Sequence, residues 1–128
     1  MKYLTFKELK TRFPSSTIRK YHAGQIVIYE GDQPAHTFFV IKGALRNYDI
    51  DENSSEKILH IVGESSFFPM LYIIGDDDEV KTFYSTLDDT ELLLIPIKDF
   101  VAEIENDITF ANEVMRWFVG EVDFIMDR

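Results

Sequence analysis

Apolar and polar positions change rhythm three times along this chain. From Leu4 to Phe13, the apolar residues Leu4, Phe6, Leu9 and Phe13 stand at mixed spacing and the run meets Pro14-Ser15-Ser16. That arrangement predicts a short helix stopped by proline. From about Thr17 to Ile97 the pattern is that of strands. Ile18, Tyr21 and the alternating Ile26 and Ile28 predict half-buried β structure, and Phe38-Phe39-Val40-Ile41 predicts a strand buried on both faces. Ala44 to Ile50 and Lys57 to Val62 read as an antiparallel pair around the polar tip Asp51-Glu52-Asn53-Ser54-Ser55-Glu56. After Gly63 comes a compact apolar insert, Ser65 to Gly75, and then an acidic loop, Asp76-Asp77-Asp78-Glu79. Strand signals return at Thr82 to Leu87 and Glu91 to Pro96.

Helical spacing closes the chain, with a short helix predicted from Lys98 to Ile104 and a long one from Asp107 to about Asp127. Asp107 suits the N-cap, because its carboxylate can accept a hydrogen bond from the open amides of the first turn. Ala111, Met115, Phe118, Val122 and Ile125 are spaced 4, 3, 4, 3, the repeat of a coiled-coil seam. A second apolar row runs beside it through Phe110, Val114, Trp117 and Phe124. At 100° per residue the two rows, with Val119 and Met126, cover an arc of about 220°, wider than a surface helix needs to cover one core. One row is expected to pack on the chain's own sheet and the other on the same helix of a second copy, which makes a two-fold homodimer.

Composition narrows the classes. At 128 residues with 45% hydrophobic and 14% aromatic content, the chain is sized for one globular domain. Its apolar runs are too short to span a bilayer, and no continuous apolar signal opens the sequence, so it is expected in the cytoplasm without a membrane partner. The absence of cysteine excludes disulfides, thiolate chemistry and cysteine-held iron–sulfur clusters. A formal net charge of −10 opposes approach to nucleic-acid phosphates, so these residues by themselves are not expected to bind DNA.

Tyr21-His22-Ala23-Gly24-Gln25-Ile26-Val27-Ile28-Tyr29-Glu30-Gly31-Asp32, followed by Phe38-Phe39-Val40-Ile41-Lys42-Gly43, sets three glycines at turns between apolar runs. This stretch resembles the opening strands of the cyclic-nucleotide-binding-like jelly roll found in sensor domains of Crp/Fnr-type bacterial transcription regulators. The resemblance covers the chain from about residue 17 to its last helix. It implies a mainly β fold with flanking helices, an antiparallel double-stranded β-helix over residues 1–106 with a short N-terminal helix, and the start of a dimerisation helix over 107–128. It also implies a helix-turn-helix domain after that helix. No DNA-reading module lies in these 128 residues, so the expectation is either the sensor part of a longer regulator or a stand-alone relative.

Nucleotide-binding members of that family carry a Phe-Gly-Glu stretch whose carboxylate holds the ribose and an Arg-(Ser/Thr)-Ala stretch whose guanidinium pairs with the phosphate. This chain departs from both. Either Phe67-Phe68 or Pro69-Met70 stands where Gly-Glu is expected, and Val80, beside Lys81 and Thr82, stands at the arginine position. A lysine offers a point charge without the bidentate fork. Cyclic AMP and cyclic GMP are therefore not expected to bind. Phe67, Phe68, Met70, Tyr72 and Tyr84, with Lys81 and Thr82 as polar handles, suit instead a flat apolar or aromatic effector, or else simply fill the roll.

Other chemistry finds less support. A cupin-type metal enzyme on the same architecture needs several ligands converging on one ion, whereas His22, His36 and His60 are scattered without a close pair. Nothing selects one of them as a haem ligand. There is no Gly-x-Ser-x-Gly elbow and no Gly-x-x-x-x-Gly-Lys phosphate loop. The expected reading is thus a non-catalytic effector-sensing domain without cofactor or metal; a ligand-free interaction module is the nearest alternative.

Overall fold

A computed structural model describes residues 4–126, except for the side chain of Ile125. The chain runs α1 (Phe6–Arg12), β1 (Thr17–Tyr21), β2 (Ile26–Ile28), β3 (His36–Lys42), β4 (Leu45–Ile50), β5 (Glu56–Val62), β6 (Phe67–Phe68), α2 (Met70–Ile74), β7 (Phe83–Thr86), β8 (Thr90–Pro96), α3 (Ile97–Asn106) and α4 (Ile108–Met126). Among the described residues the strands form two four-stranded sheets, ordered β1-β8-β3-β6 and β2-β7-β4-β5, with every neighbouring pair antiparallel. The mainly β roll with flanking helices is the architecture expected from the sequence.

The two-residue alternation of strands sorts the apolar side chains into two cores. Phe38 and Val40 of β3, Leu92 and Leu94 of β8, and Phe68 of β6 point between the sheets, where they meet Leu45, Val62, Val80 and Tyr84. Their neighbours Phe39, Leu93, Ile95 and Phe67 point outward and are covered by helices through Leu9, Phe100, Phe110, Val114 and Trp117. β3 and β8 read as unbroken apolar runs for this reason: each is packed on both faces. Ile41 is half-buried rather than buried, because the ladder between β3 and β8 shifts register between Val40 and Lys42.

Local signals agree with these elements. Thr5 caps α1 reciprocally with Glu8, each side chain bonding the other's backbone amide at 3.2 Å. Asp107 ends α3 and opens α4, its Oδ1 accepting from the amides of Thr109 at 3.0 Å and Phe110 at 3.1 Å. Arg12 binds this junction to α1. It donates to Glu103 at 2.7 Å and to Asp107 at 2.9 Å, with its guanidinium 4.6 Å over the Phe110 ring. Hydrogen bonds from Arg12, then from the Phe110 and Thr109 amides, hold the Asp107 carboxyl below the usual carboxylate range. The root of α4 is thereby anchored.

Gly24, Gly31 and Gly43 all have positive φ. Gly43 is the most constrained, since a Cβ there would lie 2.6 Å from Thr90 Oγ1 and 2.8 Å from the Asp89 carbonyl at a φ of +96°. Left-handed backbone costs a residue with a Cβ about 1–2 kcal/mol, and the contact with β8 adds to that. Gly43→Ala is expected to lower the unfolding free energy by about 2 kcal/mol or more in urea titration. A loss under about 0.5 kcal/mol would mean that the β3–β4 turn is not held against β8.

His36 opens β3 opposite Pro96 and is half-buried, because the ladder to β8 extends two residues beyond Phe38.

Candidate functional site

Where β6 and α2 meet α4, the roll does not close. Phe68 lies inside, its ring stacked at 5.0 Å on Phe38 and at 4.8 Å on Tyr84. Phe67 points to the opposite side, edge-on to Trp117 at 5.3 Å. Between these aromatic layers opens a cavity of about 330 Å³, at the small end of the range that holds organic ligands. The sheet supplies Asn47, His60, Val62 and Tyr84 to its wall. β6 and α2 supply Phe67, Phe68, Met70 and Tyr72, and α4 supplies Trp117, Phe118, Glu121 and Val122.

All seven residues singled out as effector candidates, Phe67, Phe68, Met70, Tyr72, Lys81, Thr82 and Tyr84, are brought to this one cavity. Their exposure differs. Phe67, Phe68, Met70 and Tyr84 are buried and Tyr72 is half-buried, whereas Lys81 is exposed and ion-paired with Glu79 at 3.5 Å. Thr82 accepts from Asn47 Nδ2 at 2.7 Å, and the same amide donates to the Phe83 carbonyl at 3.0 Å. Tyr84 is hydrogen-bonded to Thr82, and burial pushes its phenol up to about 12, so it is a neutral group.

The polar end of the cavity carries residues that the sequence did not single out. Ser66 Oγ donates to Glu121 Oε1 at 3.1 Å, which links the loop before β6 to α4. His60, half-buried on β5, also feels the Glu121 charge. Burial is the larger influence and holds its imidazole below the usual histidine range, so near neutral pH it is uncharged. A signal for Glu121 exists in the sequence. At 100° per residue it falls about 40° from Trp117, inside the apolar arc rather than on the polar remainder. A carboxylate in that arc must meet the chain's own polar groups, a ligand or a partner.

Of the row expected on the chain's own sheet, all but one described residue is found there. Phe110, Val114 and Trp117 are buried against the roll, but Phe124, expected in the same row, is 61% exposed. It lies about 10 Å farther along the axis than Trp117. Of the seam residues, Ala111 is half-buried and Met115 exposed, while Phe118 and Val122 line the cavity; Phe118 also packs against the helical core. The Ile125 side chain lies outside what the structure describes. Met115, Val119 and Val122 remain 44%, 53% and 41% exposed, a continuous apolar strip on one side of α4.

Val80, at the position where a phosphate-binding arginine was sought, is buried and apolar, and the carboxylates Asp77 and Glu121 outnumber the single lining cation, Lys81. Among the described residues no cluster of three or more histidines or carboxylates can hold a metal ion, and no helix is long and apolar enough to cross a membrane.

Comparison with known proteins bears on both the roll and its departures. No relative among curated proteins matches the chain at a significant level. Solved structures match it closely in shape. The catabolite activator protein of Thermus thermophilus superposes with a TM-score of 0.75 at 23% identity, covering 97% of this chain and 59% of that one. The sensor domain of the transcriptional regulator DNR from Pseudomonas aeruginosa gives 0.73 at 16% identity, covering 90% and 77%. Oxidised CprK in complex with o-chlorophenolacetic acid gives 0.72 at 19% identity, covering 98% and 52%. The chain thus spans little more than half of two of these three proteins, and at such identities the likeness establishes the fold. The family model for the cyclic nucleotide-binding domain matches residues 18–107, most of the roll. With that match over well more than half its length, the chain belongs to the cyclic nucleotide-binding domain family.

Proposed function

We propose that this chain is the effector-sensing and dimerisation part of a Crp/Fnr-like bacterial transcription regulator. Residues 1–106 form the sensor and residues 107–128 begin the dimerisation helix. It acts in the cytoplasm, catalyses nothing, and takes a small non-nucleotide ring compound in the cavity beneath α4. Contact with DNA belongs to a domain outside these residues.

The observation that carries this reading is the shared wall of the cavity: the roll supplies one side, and Trp117, Phe118, Glu121 and Val122 of α4 supply the other. A molecule bound there touches the sheet and the helix together. It can bias the position of α4 by as much as its affinity differs between two arrangements of that helix. The apolar, aromatic lining favours a ring. The buried Val80 and the preponderance of carboxylates disfavour a phosphate diester. CprK, whose fold this chain shares, was solved with an aromatic acid, which supports a non-nucleotide ligand by analogy.

Dimerisation rests on the exposed strip of α4. Met115 and Val119 stand outside the cavity wall, Val122 continues their exposed strip from the cavity's edge, and a second copy of the same helix supplies a matching apolar surface. Cyclic AMP and cyclic GMP, titrated into the protein at millimolar concentration, are expected to give no saturable heat. Micromolar binding of either would overturn the non-nucleotide reading.

A further inference from the structure

At the α4 end of the cavity stand Ser66, His60 and Glu121, with no cation among them. Glu121 presents a carboxylate with about four acceptor positions, of which the Ser66 hydroxyl occupies one. His60 beside it is an uncharged imidazole at neutral pH, and the Tyr84 phenol is likewise neutral. Lys81, at the mouth, is already paired with Glu79. Asn47 and Thr82 are bonded to each other, Asp77 adds a second carboxylate, and the remaining wall is aromatic and aliphatic, where an unpaired ligand charge would have to shed its water at considerable cost.

Building on the effector reading above, we propose that Glu121 is the polar anchor of the cavity. It selects an uncharged aromatic ligand that donates one hydrogen bond, as a phenol-type hydroxyl does, over an aromatic carboxylate of the same shape. A hydroxyl bonded to Glu121 attaches the ligand directly to α4 and adds a second donor to the carboxylate that Ser66 already holds. A carboxylate ligand in the same orientation brings two anions together with no neighbouring cation to separate them. Selectivity and the link to the helix therefore reside in one side chain.

Equilibrium dialysis at neutral pH with 2-naphthol, 2-naphthoate and naphthalene tests this directly. The wild-type chain is expected to bind 2-naphthol roughly tenfold or more tightly than 2-naphthoate, the size of effect that a hydrogen bond to a charged group produces. Glu121→Gln keeps an acceptor for Ser66 but removes the charge, and is expected to reduce the preference to about threefold or less by weakening naphthol and strengthening naphthoate. Ser66→Ala leaves the charge and should keep the preference. Equal binding of naphthol and naphthoate by wild type, an unaltered ratio in Glu121→Gln, or loss of the preference in Ser66→Ala would each overturn the anchor while leaving the cavity reading intact. Failure of all three compounds, naphthalene included, to bind would remove the cavity reading and the anchor with it.

Discussion

Replacing Phe68 with alanine is expected to lower the unfolding free energy by about 3–5 kcal/mol, the upper range for truncating a buried aromatic side chain. Phe68 is 2% exposed and sits in the middle of a three-ring stack, between Phe38 and Tyr84. Its removal costs the transfer energy of the ring and also unsupports both neighbours. The surroundings cannot easily collapse into the gap. On one side is the sheet β1-β8-β3-β6, fixed by its ladders; on the other is the existing cavity, which the new void would enlarge. Leu71 is the control: it lines the same cavity but is 69% exposed, and Leu71→Ala should cost no more than about 0.5 kcal/mol. Urea unfolding of both variants at one protein concentration decides the matter, since the proposed self-association would otherwise enter the comparison. Similar losses for the two would mean that the stack is not a packed core.

If α4 pairs as proposed, glutamate at both Met115 and Val119 is expected to leave the protein monomeric. In a paired-helix interface the two carboxylates would be buried beside their symmetry mates without cations, at a cost of several kcal/mol. Each 1.4 kcal/mol is tenfold in affinity, so the dissociation constant should rise by about a thousandfold or more. Sedimentation equilibrium would then report the mass of the 15.0 kDa chain rather than twice that value. These two positions discriminate better than Phe118 and Val122, which line the cavity and would confound assembly with ligand binding. With Met115 and Val119 outside the cavity wall, binding of a ring compound should survive the double substitution. A dimer unchanged by it would refute the seam on α4.

Much of the fold was legible before any coordinates because its signals are local. The unbroken apolar runs of β3 and β8 announced strands covered on both faces, and Gly24, Gly31 and Gly43 marked turns whose backbone is indeed left-handed. Asp107 was readable as a cap because capping depends on a side chain and the next three residues. Candidate ligand contacts were legible too, as an excess of aromatic residues in a short insert. Which way each aromatic points was not. Phe67 and Phe68 are adjacent and chemically identical, yet one packs on Trp117 and the other between Phe38 and Tyr84.

Sequence alone, then, determined the strands, the helices and the turns between them, all of which depend on residue identity and short-range spacing. Tertiary structure decided where the apolar rows of the last helix lead. It brought Ser66, His60 and Glu121, from separate elements, to one end of a cavity, and it turned Phe118 and Val122 toward that cavity. It also joined Arg12 to Glu103 and Asp107 across some ninety residues of chain. The reason is physical: periodicity states that a helix or strand has an apolar face, but the partner of that face is chosen by crossovers between distant segments, and no local spacing encodes them.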